Sequence, residues 1–133
     1  LTTDLSEDEI LTAVTFPNLA AGSGWGFEEI ARRSGDFALA GAGAVLTLHH
    51  GAIADVRLAM MGVDETPRRL PAIEAMLLGR AWDAGVRAAA VRQVREQVNP
   101  MSDLQASADY RRHLAGVVAG RALDAAWAKG QTL

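Results

Sequence analysis

The chain has 133 residues, half of them apolar, only 5% aromatic, no cysteine and a formal net charge of −3. That length fits a single domain, residues 1–133, able to bury a core without a disulfide or metal staple. The lack of thiols excludes disulfides, thiolate zinc sites, iron–sulfur ligation and a cysteine nucleophile within this chain, and the acidic balance argues against nucleic acid as a partner.

No apolar run approaches the roughly 20 residues that span a bilayer, so no membrane span is expected. The opening LTTDLSEDEI has no basic region ahead of an apolar one and does not read as a signal peptide. A cytoplasmic setting is expected. The chain starts at Leu1 instead of a methionine, which suggests a fragment or a processed piece.

Residues 1–9 are polar, with Glu7, Asp8 and Glu9 as a solvated acidic lead-in. Ile10 to Phe16, ILTAVTF, mixes apolar and β-branched residues and reads as a strand stopped by Pro17. A flexible connection through Gly22-Ser23-Gly24 follows. Trp25 to Arg33 reads as the next strand, with Trp25, Phe27, Glu29 and Ala31 on one face and Glu28, Ile30 and Arg32 on the other. Each face carries apolar and charged groups, so cover on both sides is expected. Ser34-Gly35-Asp36 supplies turn chemistry.

Phe37 to His49 reads as a strand in which Gly41 and Gly43 share a face, a pattern that often marks close approach by a backbone or ligand. His49-His50-Gly51 reads as a hairpin turn. Ile53 to Val63 returns, with Val56, Leu58 and Met60 inward and Asp55 and Arg57 towards water.

From there the period changes. A short helix is predicted over Pro71 to Leu78, with Gly79 as its stop. Asp83 can cap a second helix to about Val98, ended by Asn99-Pro100. Ser107 can cap a third, to about Lys129. Its predicted apolar side holds Tyr110, Leu114, Val117, Val118, Leu123 and Trp127, with Tyr110 a core anchor; Arg111, Arg112, Arg121 and Asp124 fall mainly on the other side. The order predicts an α+β fold: an antiparallel sheet of three to four strands followed by three helices packed on one face.

Arg32-Arg33-Ser34-Gly35-Asp36 is the foremost candidate for chemistry. Two guanidinium groups beside a carboxylate at a turn can hold a polar ligand through bidentate bonds. The plain alternative is an exposed ion pair that stabilises the turn. His49 and His50, adjacent on a strand, point apart and do not chelate one ion. His113, beside Arg111 and Arg112, reads as a solvated or interface residue. No complete phosphate loop and no nucleophile–base pair is legible.

Four segments together carry a resemblance: Glu9 to Val14, Gly24 to Ala38 (GWGFEEIARRSGDFA), Ile53 to Ala59, and Ser107 to Gly116 (SADYRRHLAG). In this order and spacing they resemble the C-terminal domain of the FAD-binding medium subunit of molybdenum hydroxylases, the family that includes carbon monoxide dehydrogenase and xanthine dehydrogenase. The resemblance implies three or four antiparallel strands followed by three helices. It implies a domain that is not catalytic alone but belongs to an oxidoreductase. Electrons there pass from a molybdenum cofactor through two [2Fe-2S] clusters, both on partner subunits, to FAD. FAD is held mainly by N-terminal domains of the same subunit, absent from this chain.

The implied share of this domain is the turn between strands, which lies towards the isoalloxazine; Glu28, Arg32, Arg33 and Asp36 are the cofactor-binding residues carried over. Animal xanthine dehydrogenases have a lysine matching Glu28, and bacterial relatives often have one matching Glu29. This sequence has glutamate at both, and a carboxylate there opposes charge build-up on reduced flavin. The rival expectation is a stand-alone, non-enzymatic interaction module of the same architecture.

Overall fold

The computed structural model describes residues 3–132. Four antiparallel strands stand in the order β1-β2-β3-β4: Ser23–Ile30, Ala40–His49, Ala52–Met61 and Arg68–Arg69. Three helices follow: α1 Pro71–Leu77, α2 Ala84–Gln97 and α3 Ala108–Gly130. The α+β reading, with strands first and helices second, is what the structure has.

The strands pair side by side because their turns are local. His50 at φ 51° and Gly51 at φ 76° form the β2–β3 turn, the two positive φ values a tight hairpin demands. Alternation then sorts the faces. Ala42, Ala44 and Leu46 of β2 and Val56, Leu58 and Met60 of β3 are all buried on the helix side. Leu46, Leu58 and Met60 are at most 1% exposed, each contributing roughly 1.5–3 kcal/mol of burial. Asp55 and Arg57 face water, as the alternation predicted.

Helix α3 lies along β1 and β2, α2 lies on α3, and α1 lies on β3. Its 23 residues span roughly 34 Å at about 1.5 Å per residue, enough to cross the sheet. Both predicted caps form: Asp83 accepts from the Val86 N–H at 2.8 Å and Ser107 from the Tyr110 N–H at 3.2 Å. Each such cap contributes about 1 kcal/mol.

Glycine sets the distance between helix and sheet, at Gly26 and at Gly24, which the sequence placed in a flexible connection but which the structure places in β1. A Cβ on Gly24 or Gly26 would overlap the Ala126 or Ala122 carbonyl of α3. Strand and helix backbones therefore touch there. Gly41, expected to mark a close approach, meets the Met61 side chain and, at ordinary contact distance, the Glu28 carbonyl, while no protein atom closes on Gly43.

Three further expectations change. Ile10–Phe16 is not a strand; Ile10 is 84% and Phe16 83% exposed. Its pattern suits a strand, but no sheet edge pairs with it. The fourth strand is instead Arg68–Arg69, too short to leave a periodic signal. The first strand is covered on one side only, by α3; Trp25 and Phe27 on its other face are half-exposed. Tyr110 is also half-exposed and no core anchor, while Arg111 is buried at 7% exposure. The buried stripe runs through Arg111, Ala115, Val118, Ala122 and Ala126, one step around the helix from Tyr110.

Candidate functional site

Residues 31–39 join β1 to β2 and carry the predicted charged corner. The corner closes at its neck, where the Leu39 N–H donates to the Ile30 carbonyl at 2.8 Å. Inside it, the Asp36 N–H donates to the Arg33 carbonyl at 3.2 Å across Gly35, whose φ is 88°. That backbone suits glycine and disfavours other residues.

Arg32, Arg33, Ser34, Gly35, Asp36 and Phe37 are all exposed, Phe37 at 92%. Neither arginine joins an ion pair or a side-chain hydrogen bond among the described residues, and Asp36 makes no ion pair. The plain alternative, a turn held by its own ion pair, is therefore not what the corner does. The three charges are close in sequence yet all turned outwards. Glu28 stands apart from them: it shares the helix-covered face of β1 with Gly24, Gly26 and Ile30 and is half-buried.

Beneath the corner lies Arg111, which sequence reasoning turned outwards. Its Nη1 donates to the Leu39 carbonyl at 2.9 Å and to the Gly62 carbonyl at 3.2 Å, and its Nη2 to Asp103 Oδ2 at 2.7 Å. The backbones it joins are in contact, since a Cβ on Gly62 would sit 2.7 Å from the Ala38 carbonyl. The Arg111 guanidinium, with the N–H groups of Ala106 and Gln105, holds the Asp103 carboxyl below the ordinary value of 3.8. The signal that could have found Arg111 is the spacing of the small residues that follow it on α3.

Behind the corner, the open face of the sheet presents Trp25 and Phe27. An apolar hollow of about 180 Å3 lies between Phe27, Gly43, Ala59, Met60, Met61 and Pro67. At the far end of β1, Lys129 Nζ sits 3.1 Å from the Trp25 ring centroid. His49 and His50 bring their ring centroids to 4.0 Å, closer than strand geometry suggests, because His50 has left the strand for the turn. Among the described residues no group of three or more His, Asp or Glu is placed to hold a metal. His113 is exposed, as expected. Among the described residues, no helix is long and apolar enough to cross a membrane.

The arrangement offers two exposed planar cations, without an ion pair among the described residues, on a defined turn suited to an electron-rich oxygen or nitrogen edge. The N-termini of α2 and α3 are capped by the side chains of Asp83 and Ser107.

Comparison with known proteins bears on this geometry. Residues 25–126 match the CO dehydrogenase flavoprotein C-terminal domain family. The chain is 34% identical over 125 residues to the carbon monoxide dehydrogenase medium chain of Hydrogenophaga pseudoflava, covering 94% of this chain and 44% of that protein. It is 35% identical over 119 residues to the caffeine dehydrogenase subunit beta of Pseudomonas sp. (strain CBB1), covering 90% and 40%. A solved structure of carbon monoxide dehydrogenase from Hydrogenophaga pseudoflava superimposes with a TM-score of 0.82 at 39% identity, over 85% of this chain and 39% of that one. The chain thus spans less than half the length of these relatives. With the strand order, the three helices and the matched residues in agreement, the chain belongs to the CO dehydrogenase flavoprotein C-terminal domain family.

Proposed function

We propose that this chain is the C-terminal domain of the FAD-binding medium subunit of a molybdenum hydroxylase, and that its corner at Arg32, Arg33 and Asp36 borders the flavin site. The family match over residues 25–126 supports the reading, and the unpaired charges of the corner carry it to named residues. As a stability device, two exposed cations with no ion pair among the described residues do little. As recognition groups they are pre-formed and available.

The guanidinium groups of the corner fit the polar edge of a flavin, and the sequence carries no complete phosphate loop. FAD, when bound, supplies two-electron storage in its ring system. Arg32 and Arg33 would favour the negative charge that accumulates there, while Asp36 and the half-buried Glu28 would oppose it. The phosphates would be held by N-terminal domains of the same subunit. The molybdenum cofactor and [2Fe-2S] clusters would sit on partner subunits, in a cytoplasmic complex. Trp25 and Phe27 are suited to a contact with a neighbouring domain.

The test replaces Arg32 or Arg33 by alanine in the FAD-loaded protein that carries this chain. The flavin midpoint potential is expected to fall, on the order of 30 mV for a loss of about 1.4 kcal/mol in a two-electron couple, with the domain's stability within about 0.5 kcal/mol of the parent. An unchanged potential with lowered stability would make the corner structural.

A further inference from the structure

We infer that Arg111 is a positioning residue for the charged corner: its guanidinium pins the Leu39 carbonyl and so sets how the segment 31–38 leaves the sheet. The flavin consequence of this inference rests on the reading of the corner given above; the clamp itself does not.

Leu39 is the post on which the corner closes. Its N–H closes the neck onto the Ile30 carbonyl, and its carbonyl accepts from Arg111. Both backbone groups of one residue are therefore committed, one to the sheet and one to α3. The same nitrogen reaches the Gly62 carbonyl just beyond β3, and the other terminal nitrogen reaches Asp103 ahead of α3. One planar group thus ties three chain segments whose register no local interaction sets. A lysine has the charge but not the fork, so it cannot meet two carbonyls and a carboxylate in one plane.

Arg111 Nε is buried and has no partner, and such a group is a cost. The two terminal nitrogens must outweigh it, so the site is tuned to guanidinium geometry more than to charge. The outer half of the corner is exposed and, among the described residues, the Arg33–Asp36 backbone bond is the hydrogen bond that holds it. Its stiffness must therefore come from its base.

The experiment uses Arg111→Lys and Asp103→Asn in the FAD-loaded protein that carries this chain. Asp103 is half-exposed and bonded to the far side of the guanidinium, so Asp103→Asn loosens the fork with little threat to folding. The readouts are amide hydrogen exchange at the two bonded amides of the corner, Asp36 and Leu39, exchange at Leu46 and Leu58 in the core, and the flavin midpoint potential. The expected result is exchange at Asp36 and Leu39 faster by about tenfold with the core amides unchanged, and a potential that moves in the direction seen for Arg33→Ala although both arginines of the corner remain. Unchanged exchange at Asp36 and Leu39 overturns the inference. Equal acceleration in corner and core also overturns it, because Arg111 is then only a stabilising contact. Faster exchange at the corner with a potential insensitive to these variants and to Arg33→Ala upholds the clamp and removes the flavin reading of the corner. Should Arg111→Lys fail to fold, the Asp103→Asn result decides.

Discussion

Arg111 and the pair Arg32–Arg33 meet at the same end of the sheet and have opposite surroundings. Arg111 is buried, with both terminal nitrogens bonded to groups from three segments. Arg32 and Arg33 are exposed and join no ion pair among the described residues. The difference is one of desolvation. A guanidinium taken out of water must have its donors met, so its neighbours are built around it. One left in water can wait for a partner. The same residue type is a buried staple in one place and an exposed side chain in the other, although the two positions are far apart in the chain and meet only in the fold.

The sharpest way to break this comparison is Arg111→Ala. It leaves the Leu39 and Gly62 carbonyls without their donor and Asp103 without its cation, and should destabilise the fold by roughly 3–5 kcal/mol. Urea melts measure it; a loss like that of Arg33→Ala would erase the contrast.

Gly26→Ala asks whether the covered face of the sheet is as tightly set as the buried arginine. The new methyl meets the Ala122 carbonyl, a backbone atom that cannot turn aside. A cost of roughly 1–3 kcal/mol is expected, while Gly43→Ala, facing open space, should stay within about 0.5 kcal/mol. Thermal melts of the two variants side by side test this.

Acid sharpens the comparison further. Asp103 is held below its ordinary 3.8 by its bond to Arg111, and Asp64 by its bond to Arg68. A carboxyl depressed in the folded state adds stability that is whole above the unfolded value and fades as pH falls through the folded one. Stability should therefore drop as pH falls below 3.8. Asp103→Asn should flatten part of that drop, as read from urea melts across the acid range. A slope identical to the parent would mean that Arg111 gains nothing from its carboxylate.

The smallest effect belongs to Tyr110→Ala. With the ring half in water, the loss should be about 1 kcal/mol or less. A loss near that of Arg111→Ala, in the same melts, would move the buried stripe of α3 back to where the residue pattern first suggested.

What the residues alone determined was local. Asp83 and Ser107 announce their helices because a cap bonds two or three residues on. His50-Gly51 and Gly35 announce turns by backbone preference. Val56, Leu58 and Met60 declare a face because a strand alternates. The family was legible for a similar reason, since the segments around Arg32 and Arg111 are distinctive as strings. Only the tertiary structure decided what those segments do. Arg111 is buried because Leu39, 72 positions away, brings a carbonyl to it. Ile10–Phe16 fails as a strand because strand formation needs a partner edge, which no neighbour in sequence supplies. Gly24 and Gly26 take the close contact with a helix backbone because α3 crosses β1 there, whereas Gly41 meets the Met61 side chain. Hydrogen bonds between near neighbours are written in the order of residues; burial and pairing depend on which distant segment arrives.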